Sequence, residues 1–166
     1  MKTFFISASG LDARGVGPRI MLITAPLLAA AVIFEFQSAP FSDVVFLKNN
    51  IAKTAGWLWL ATGIAVFVTT MAQFISNFSK GKLITGGMYA CSRNPIYASW
   101  IVFILPAVGL ICSNWIFFAA AFLMCVATIF LVKKEETELL QCFGKQYFKY
   151  KKRVGRILSL PRKLLV

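Results

Sequence analysis

Four apolar runs dominate the chain: Ile20 to Phe36, Thr54 to Ile75, Ile96 to Cys112 and Trp115 to Val132. A helix that crosses the hydrocarbon core needs about 20 apolar residues, within a range of about 17 to 25. Each run therefore predicts one transmembrane helix, and the whole of residues 1–166 a single all-α polytopic membrane domain with four spans. Only Ser113 and Asn114 separate the third and fourth runs, which predicts a tight turn and an antiparallel helical hairpin. Pro106, inside the third run, predicts a kink there.

After Val132 the pattern becomes amphipathic. Leu140, Phe143, Tyr147, Tyr150 and Val154 recur at spacings of three and four, with Lys145, Lys149, Lys152, Arg153 and Arg156 on the other faces. This predicts a C-terminal helix at the headgroup level, in which Lys145, Lys149, Lys151 and Lys152 serve largely as lipid-facing cations.

Composition supports a membrane protein: 58% of residues are hydrophobic and the mean hydropathy is +0.73. The net charge of +12 does not imply nucleic acid, because the cations sit beside the apolar runs, where they meet anionic lipid and set orientation. Of the 18 Lys and Arg residues, Lys48 and Lys53 alone lie between the first two runs. The others, among them Lys2, Arg14 and Arg19 before the first run, Lys80, Lys82 and Arg93 between the second and third, and the C-terminal group, place both termini and the 77–95 loop in the cytoplasm. The expected location is a bacterial inner membrane. A signal peptide is disfavoured, since the first apolar run begins only at Ile20.

Histidine is absent, which removes the commonest general base and metal ligand. Cys91, Cys112, Cys125 and Cys142 form no Cys-x-x-Cys pair, so neither a zinc site nor a disulfide framework is expected. The candidate chemistry lies in two polar blocks predicted on the cytoplasmic side, 80–97 and 133–161. In the first, Gly86 and Gly87 permit close backbone approach, Tyr89 and Tyr97 bring hydroxyls, and Arg93 and Asn94 precede Pro95, which suits the first turn of a helix. The free N–H groups of that turn could bind a carboxylate. In the second, Glu135 and Glu136 stand where a helix C-terminus is expected, opposed by its dipole. They call for a cation: either they pair with Lys133, Lys134 or Arg93, or one carboxylate holds a ligand's ammonium or ribose hydroxyls. Glu35 is a carboxylate near the outer end of the first span, with either an interfacial or a functional role.

Gly86-Gly-Met-Tyr89, Arg93-Asn-Pro-x-Tyr97, Glu135-Glu-x-x-Leu139, Phe143-Gly-x-x-Tyr147-x-x-Tyr150 and Val154-x-Arg156 before Pro161 together resemble the integral-membrane methyltransferases of the isoprenylcysteine carboxyl methyltransferase and phospholipid methyltransferase superfamily. The resemblance covers roughly residues 80 to 161. It implies S-adenosylmethionine bound on the cytoplasmic side by Lys82, Leu83, Ile84, Tyr89, Asn94, Pro95, Ile96, Tyr97 and Glu135, with Arg93, Tyr97 and Glu136 at the catalytic centre and no metal. Two positions depart from the eukaryotic pattern. Asn94 stands where many members have His, and Leu131 stands where the prenylcysteine enzymes have a substrate-binding Arg.

The acceptor implied is a lipidic or lipidated molecule, either the carboxylate of an isoprenylcysteine-like group or a phospholipid amine. A sulfonium and an anionic nucleophile lose charge as they react, so a dry site accelerates transfer without a base. An amine would need a base, for which Glu135, Glu136, Tyr89 and Tyr97 are available. Two other readings remain open: an NADPH-dependent membrane sterol-type reductase, and a non-catalytic membrane protein that keeps the fold.

Overall fold

A computed structural model of the chain describes residues 17–36, 47–78 and 82–159, with side chains over 19–33, 47–77 and 82–159. Lys2, Arg14, Lys80, Pro161 and the Glu35 side chain lie outside the described residues. The described residues are mostly helical, with no strand among them: α1 is Gly17–Phe36 and α2 Asn50–Phe78, α3 is Pro95–Cys112 and α4 Ile116–Arg153. Three helical segments are long and apolar enough to cross a membrane, at Asn50–Asn77, Pro95–Cys112 and Ile116–Arg153, and Arg19–Ile33 is a shorter apolar helix.

The helices neighbour one another in the order α2, α3, α4, α1. Small residues let α2 and α3 come close: a Cβ on Gly56 would meet Ile111 and Ala107, and one on Gly63 would meet Phe103 and Ile104. Ile20 of α1 joins Ile101, Leu105, Ala120, Ala121, Met124 and Val132 in the main core. Ala31, farther along α1, packs with Ile116 and Phe117 at the start of α4. A turn over Ser113, Asn114 and Trp115 joins α3 to α4, with Ser113 left-handed at φ 55 and Asn114 Oδ1 accepting the Ile116 N–H at 3.0 Å.

Pro106 is accompanied by a π-helical turn, Ser99–Ile104, within α3. Proline has no N–H for the carbonyl four residues earlier, here Val102, and an unpaired carbonyl is expensive in an apolar medium. The Trp59 indole N–H donates to that oxygen at 2.9 Å.

The helix at Glu135 and Glu136 does not end where the dipole argument expected. α4 runs on through both residues to Phe143, and its direction changes at Gly144, which has φ 48 and ψ −123. The glutamates are therefore mid-helical, without the penalty of a C-terminal position. Beyond Gly144, Tyr147, Tyr150 and Val154 are buried against Leu83, Leu139 and Phe143. The apolar face of the amphipathic stretch thus packs on the protein itself, on Leu83 and on the part of α4 before the bend.

Candidate functional site

The two polar blocks meet through main-chain hydrogen bonds. Arg93 N–H donates to Gly155 O at 2.9 Å, Asn94 N–H to Arg156 O at 3.2 Å, and Ser159 N–H to Cys91 O at 2.8 Å. Arg156 O also accepts from Ser92 Oγ and from Asn94 Nδ2, each at 3.0 Å. Pro95 dictates this arrangement locally. It occupies the first turn of α3 and leaves Asn94 outside the helical region at φ −129 and ψ 61, with no side chain capping the helix, so the 91–94 backbone is free to pair outside the helix.

Under this junction lies a buried charge cluster. Glu136, 3% exposed, accepts from Arg156 Nε at 2.8 Å and Nη2 at 3.0 Å. Lys151 Nζ is 3.1 Å away and Arg93 Nη1 2.9 Å away. Burial pushes the Glu136 carboxyl up, but hydrogen bonds from Arg156 and Lys151 and the charges of Arg93 and Arg156 outweigh it and hold the group below the ordinary glutamate value. The Arg93 side chain is 9% exposed and also engages the Tyr147 hydroxyl. Its Nη1 contact with Glu136 is a charge contact rather than an aligned hydrogen bond, and its Nε has no hydrogen-bond partner.

The glycine pair opens into a short 3₁₀ turn, Gly87–Ala90. Gly87 has φ 61, and a Cβ on it would run into the Gln73 amide. Gln73 Oε1 in turn accepts the Met88 N–H at 3.1 Å. From the other side the Tyr150 hydroxyl donates to Tyr89 O at 2.7 Å and approaches Ser92 O at 3.4 Å. The turn carrying Tyr89 is therefore pinned by α2 and by the end of α4.

Tyr89, Tyr97 and Glu135 come together, since the Glu135 carboxylate acts electrostatically on both phenols. Burial first and Glu135 second push the Tyr89 hydroxyl above its ordinary value, so it stays protonated and can donate at neutral pH. Next to the turn that carries Tyr89 lies an open depression of about 340 Å³ lined by Gln73, Asn77, Leu83, Ile84, Thr85 and Gly86.

The residues singled out in the sequence thus fall into distinct places. Leu83 and Ile84 line the depression, whereas Lys82 is exposed. Pro95 is buried and Ile96 half-buried at the start of α3. The Asn94 amide is committed to Arg156 O, and Arg93 and Glu136 are committed to one another. Among the cations read as lipid-facing, Lys152 sits over the Phe148 ring at 4.6 Å, whereas Lys151 belongs to the Glu136 cluster. Gln73, Ser92 and the roles of Tyr150 and Arg156 escaped the sequence reading. The available signal for Gln73 was a pair of amides, Gln73 and Asn77, one turn apart at the end of an apolar run. Among the described residues no group of three or more His, Cys, Asp or Glu side chains could hold a metal.

No curated protein and no solved structure matches the chain. The family model for phospholipid methyltransferases matches residues 51–146, from the start of α2 to just past the Gly144 bend. That span is more than half of the chain and contains Gln73, the 86–97 block and both glutamates, so this protein belongs to the phospholipid methyltransferase family, in the superfamily that also holds the isoprenylcysteine carboxyl methyltransferases.

Proposed function

We infer that this protein is an integral-membrane methyltransferase that uses S-adenosylmethionine to methylate a lipidic acceptor at the cytoplasmic leaflet. Membership of a methyltransferase family and three helices of membrane-spanning length support methyl transfer in a membrane. The cofactor, the leaflet, the four-span hairpin topology and both termini in the cytoplasm are our reading. The observation that carries it is the convergence of Tyr89, Tyr97 and Glu135 from the two polar blocks, with the depression lined by Leu83, Ile84 and Gly86 next to the turn that carries Tyr89.

These residues suit the cofactor by their chemistry. A carboxylate and two phenol rings favour a sulfonium or ammonium cation, and Glu135 can accept from ribose hydroxyls. Gly86 has nothing within 4 Å of where its Cβ would stand, leaving backbone exposed to an incoming ligand. When bound, S-adenosylmethionine supplies an electrophilic methyl group. This chain's residues bind and orient it, and keep water out. In this reading Arg93 and Glu136 are positioning residues: their ion pair and the Arg93 and Asn94 main-chain bonds to 155–156 hold the Asn94–Tyr97 turn against the end of α4. The acceptor is an isoprenylcysteine-like carboxylate or a phospholipid amine.

Isothermal titration of the purified, detergent-solubilised protein tests the cofactor assignment. S-adenosylmethionine is expected to bind, and Glu135→Gln to weaken it by about tenfold or more, as expected for losing a charged hydrogen bond worth about 1.5–3 kcal/mol. A folded wild-type protein that binds no S-adenosylmethionine, or a Glu135→Gln variant with unchanged affinity, refutes it.

A further inference from the structure

Hydroxyls on α2 follow one habit. Those of Thr54, Thr62, Thr69 and Ser76 donate to the carbonyl four residues earlier, at 2.8, 2.9, 2.8 and 2.7 Å. This local bond is how an apolar helix carries a hydroxyl at little cost. Thr70 departs from it. Its side chain is fully buried, and Oγ1 has no hydrogen-bond partner, although a buried hydroxyl left unpaired costs about 1–3 kcal/mol.

The packing of α2 on α3 places that hydroxyl. Gly56 faces Ala107 and Ile111, Gly63 faces Phe103 and Ile104, and the Phe67 ring meets Trp100 edge-on with centroids 6.1 Å apart. The two helices run antiparallel, so one further turn along α2 brings Thr70 to the height of the first turn of α3, which carries Tyr97. The next residue on this face, Gln73, holds the Met88 N–H, and Asn77 follows one turn later at the rim of the depression. Thr70, Gln73 and Asn77, at spacings of three and four, form a polar series on one helix face. Thr70 is its deepest member, toward the apolar body of the protein.

We propose that the Thr70 hydroxyl is a specificity contact for the methyl acceptor, hydrogen-bonding the polar head of a membrane-borne substrate that reaches it at the Tyr97 end of the α2–α3 seam, beyond the Phe67–Trp100 contact. The assignment rests on the methyltransferase reading above. Gln73, Asn77 and Leu83 to Gly86 line the open depression, whereas Thr70, one turn deeper, is fully enclosed, so a head group reaches its hydroxyl by displacing packed side chains at the end of the α2–α3 seam. A neutral group suits that place, because it both donates and accepts without the desolvation cost of a buried charge.

The test compares Thr70→Val, which keeps shape and removes the hydroxyl, with Thr70→Ser, in the full-length purified protein. Three quantities are read: the ligand-free melting temperature, the S-adenosylmethionine affinity, and kcat/KM for transfer of a tritiated methyl group to vesicles of phosphatidylethanolamine or of a total bacterial lipid extract. For Thr70→Val the melting temperature stays level or rises, because an unpaired hydroxyl is removed, and the cofactor affinity stays within about twofold. Its kcat/KM falls about tenfold, the scale of one lost substrate hydrogen bond, while Thr70→Ser keeps most of the activity. A lower ligand-free melting temperature overturns the proposal, since the hydroxyl would then have a partner within the protein. Unchanged transfer, or a loss of cofactor affinity in its place, overturns it too. A wild-type protein that binds S-adenosylmethionine but labels neither vesicle overturns the lipid-acceptor assignment. One that does not bind the cofactor refutes the methyltransferase reading beneath it.

Discussion

Replacing Glu136 with alanine leaves three cations around an empty centre. Arg93 and Arg156 side chains are 9% and 28% exposed, and Lys151 is 40% exposed. Breaking a buried ion pair by removing one partner costs about 3–5 kcal/mol, because the other charge stays desolvated. Here that applies chiefly to Arg93, whose Nε already lacks a hydrogen bond. Arg156 and Lys151 can turn toward solvent, so each adds at most about 1 kcal/mol after screening. Glu136→Ala is therefore expected to lose about 3 kcal/mol, or roughly 6–12 °C in melting temperature for a chain of this length, and Lys151→Ala less than about 1 kcal/mol. Acid supplies a second readout. The folded-state carboxyl lies below its ordinary value, so the unfolded chain binds the proton more readily. The Glu136 contribution is then complete above the ordinary glutamate value of about 4.3 and lost as pH falls through the depressed folded value. Thermal melting of the detergent-solubilised protein against pH should show a steeper acid loss for wild type than for Glu136→Gln. Equal losses for Glu136→Ala and Lys151→Ala, or parallel acid profiles for wild type and Glu136→Gln, would refute the argument that a desolvated cluster holds the two blocks together.

Tyr150→Phe removes the 2.7 Å bond to Tyr89 O and should cost about 1 kcal/mol in melting experiments; on our reading, titration should also show weaker S-adenosylmethionine binding. Gly87→Ala must place a Cβ at φ 61 against Gln73 and should lose about 1–3 kcal/mol, whereas Gly86→Ala, with open space at its Cβ, should melt like wild type. Trp59→Phe strips Val102 O of its indole donor and should cost about 1 kcal/mol. In a Pro106→Ala background a backbone N–H becomes available to that oxygen, and the same substitution should cost measurably less. An additive double-mutant cycle would sink that account of the π turn.

Much of the architecture was written in the order of residues. Apolar runs separated by polar turns dictate helices, because a chain in lipid must satisfy its backbone internally, and runs of 17 residues or more are visible without coordinates. Pro95 after Asn94 sets the start of α3 for the same local reason. The two ordered blocks around Tyr97 and Glu135 were also legible, and with them the family. What tertiary structure alone decided is which polar groups answer one another. The sequence offers Glu136 Lys133, Lys134 or Arg93; of these Arg93 is its partner, joined by Lys151 and Arg156, which the bend at Gly144 and the return of residues 155–159 bring in. Likewise nothing local distinguishes Thr70, whose hydroxyl has no partner, from Thr69, which bonds its own helix. Periodicity follows from covalent geometry and can be read residue by residue. The pairing of buried charges and hydroxyls depends on which helix faces meet, a property of the folded whole.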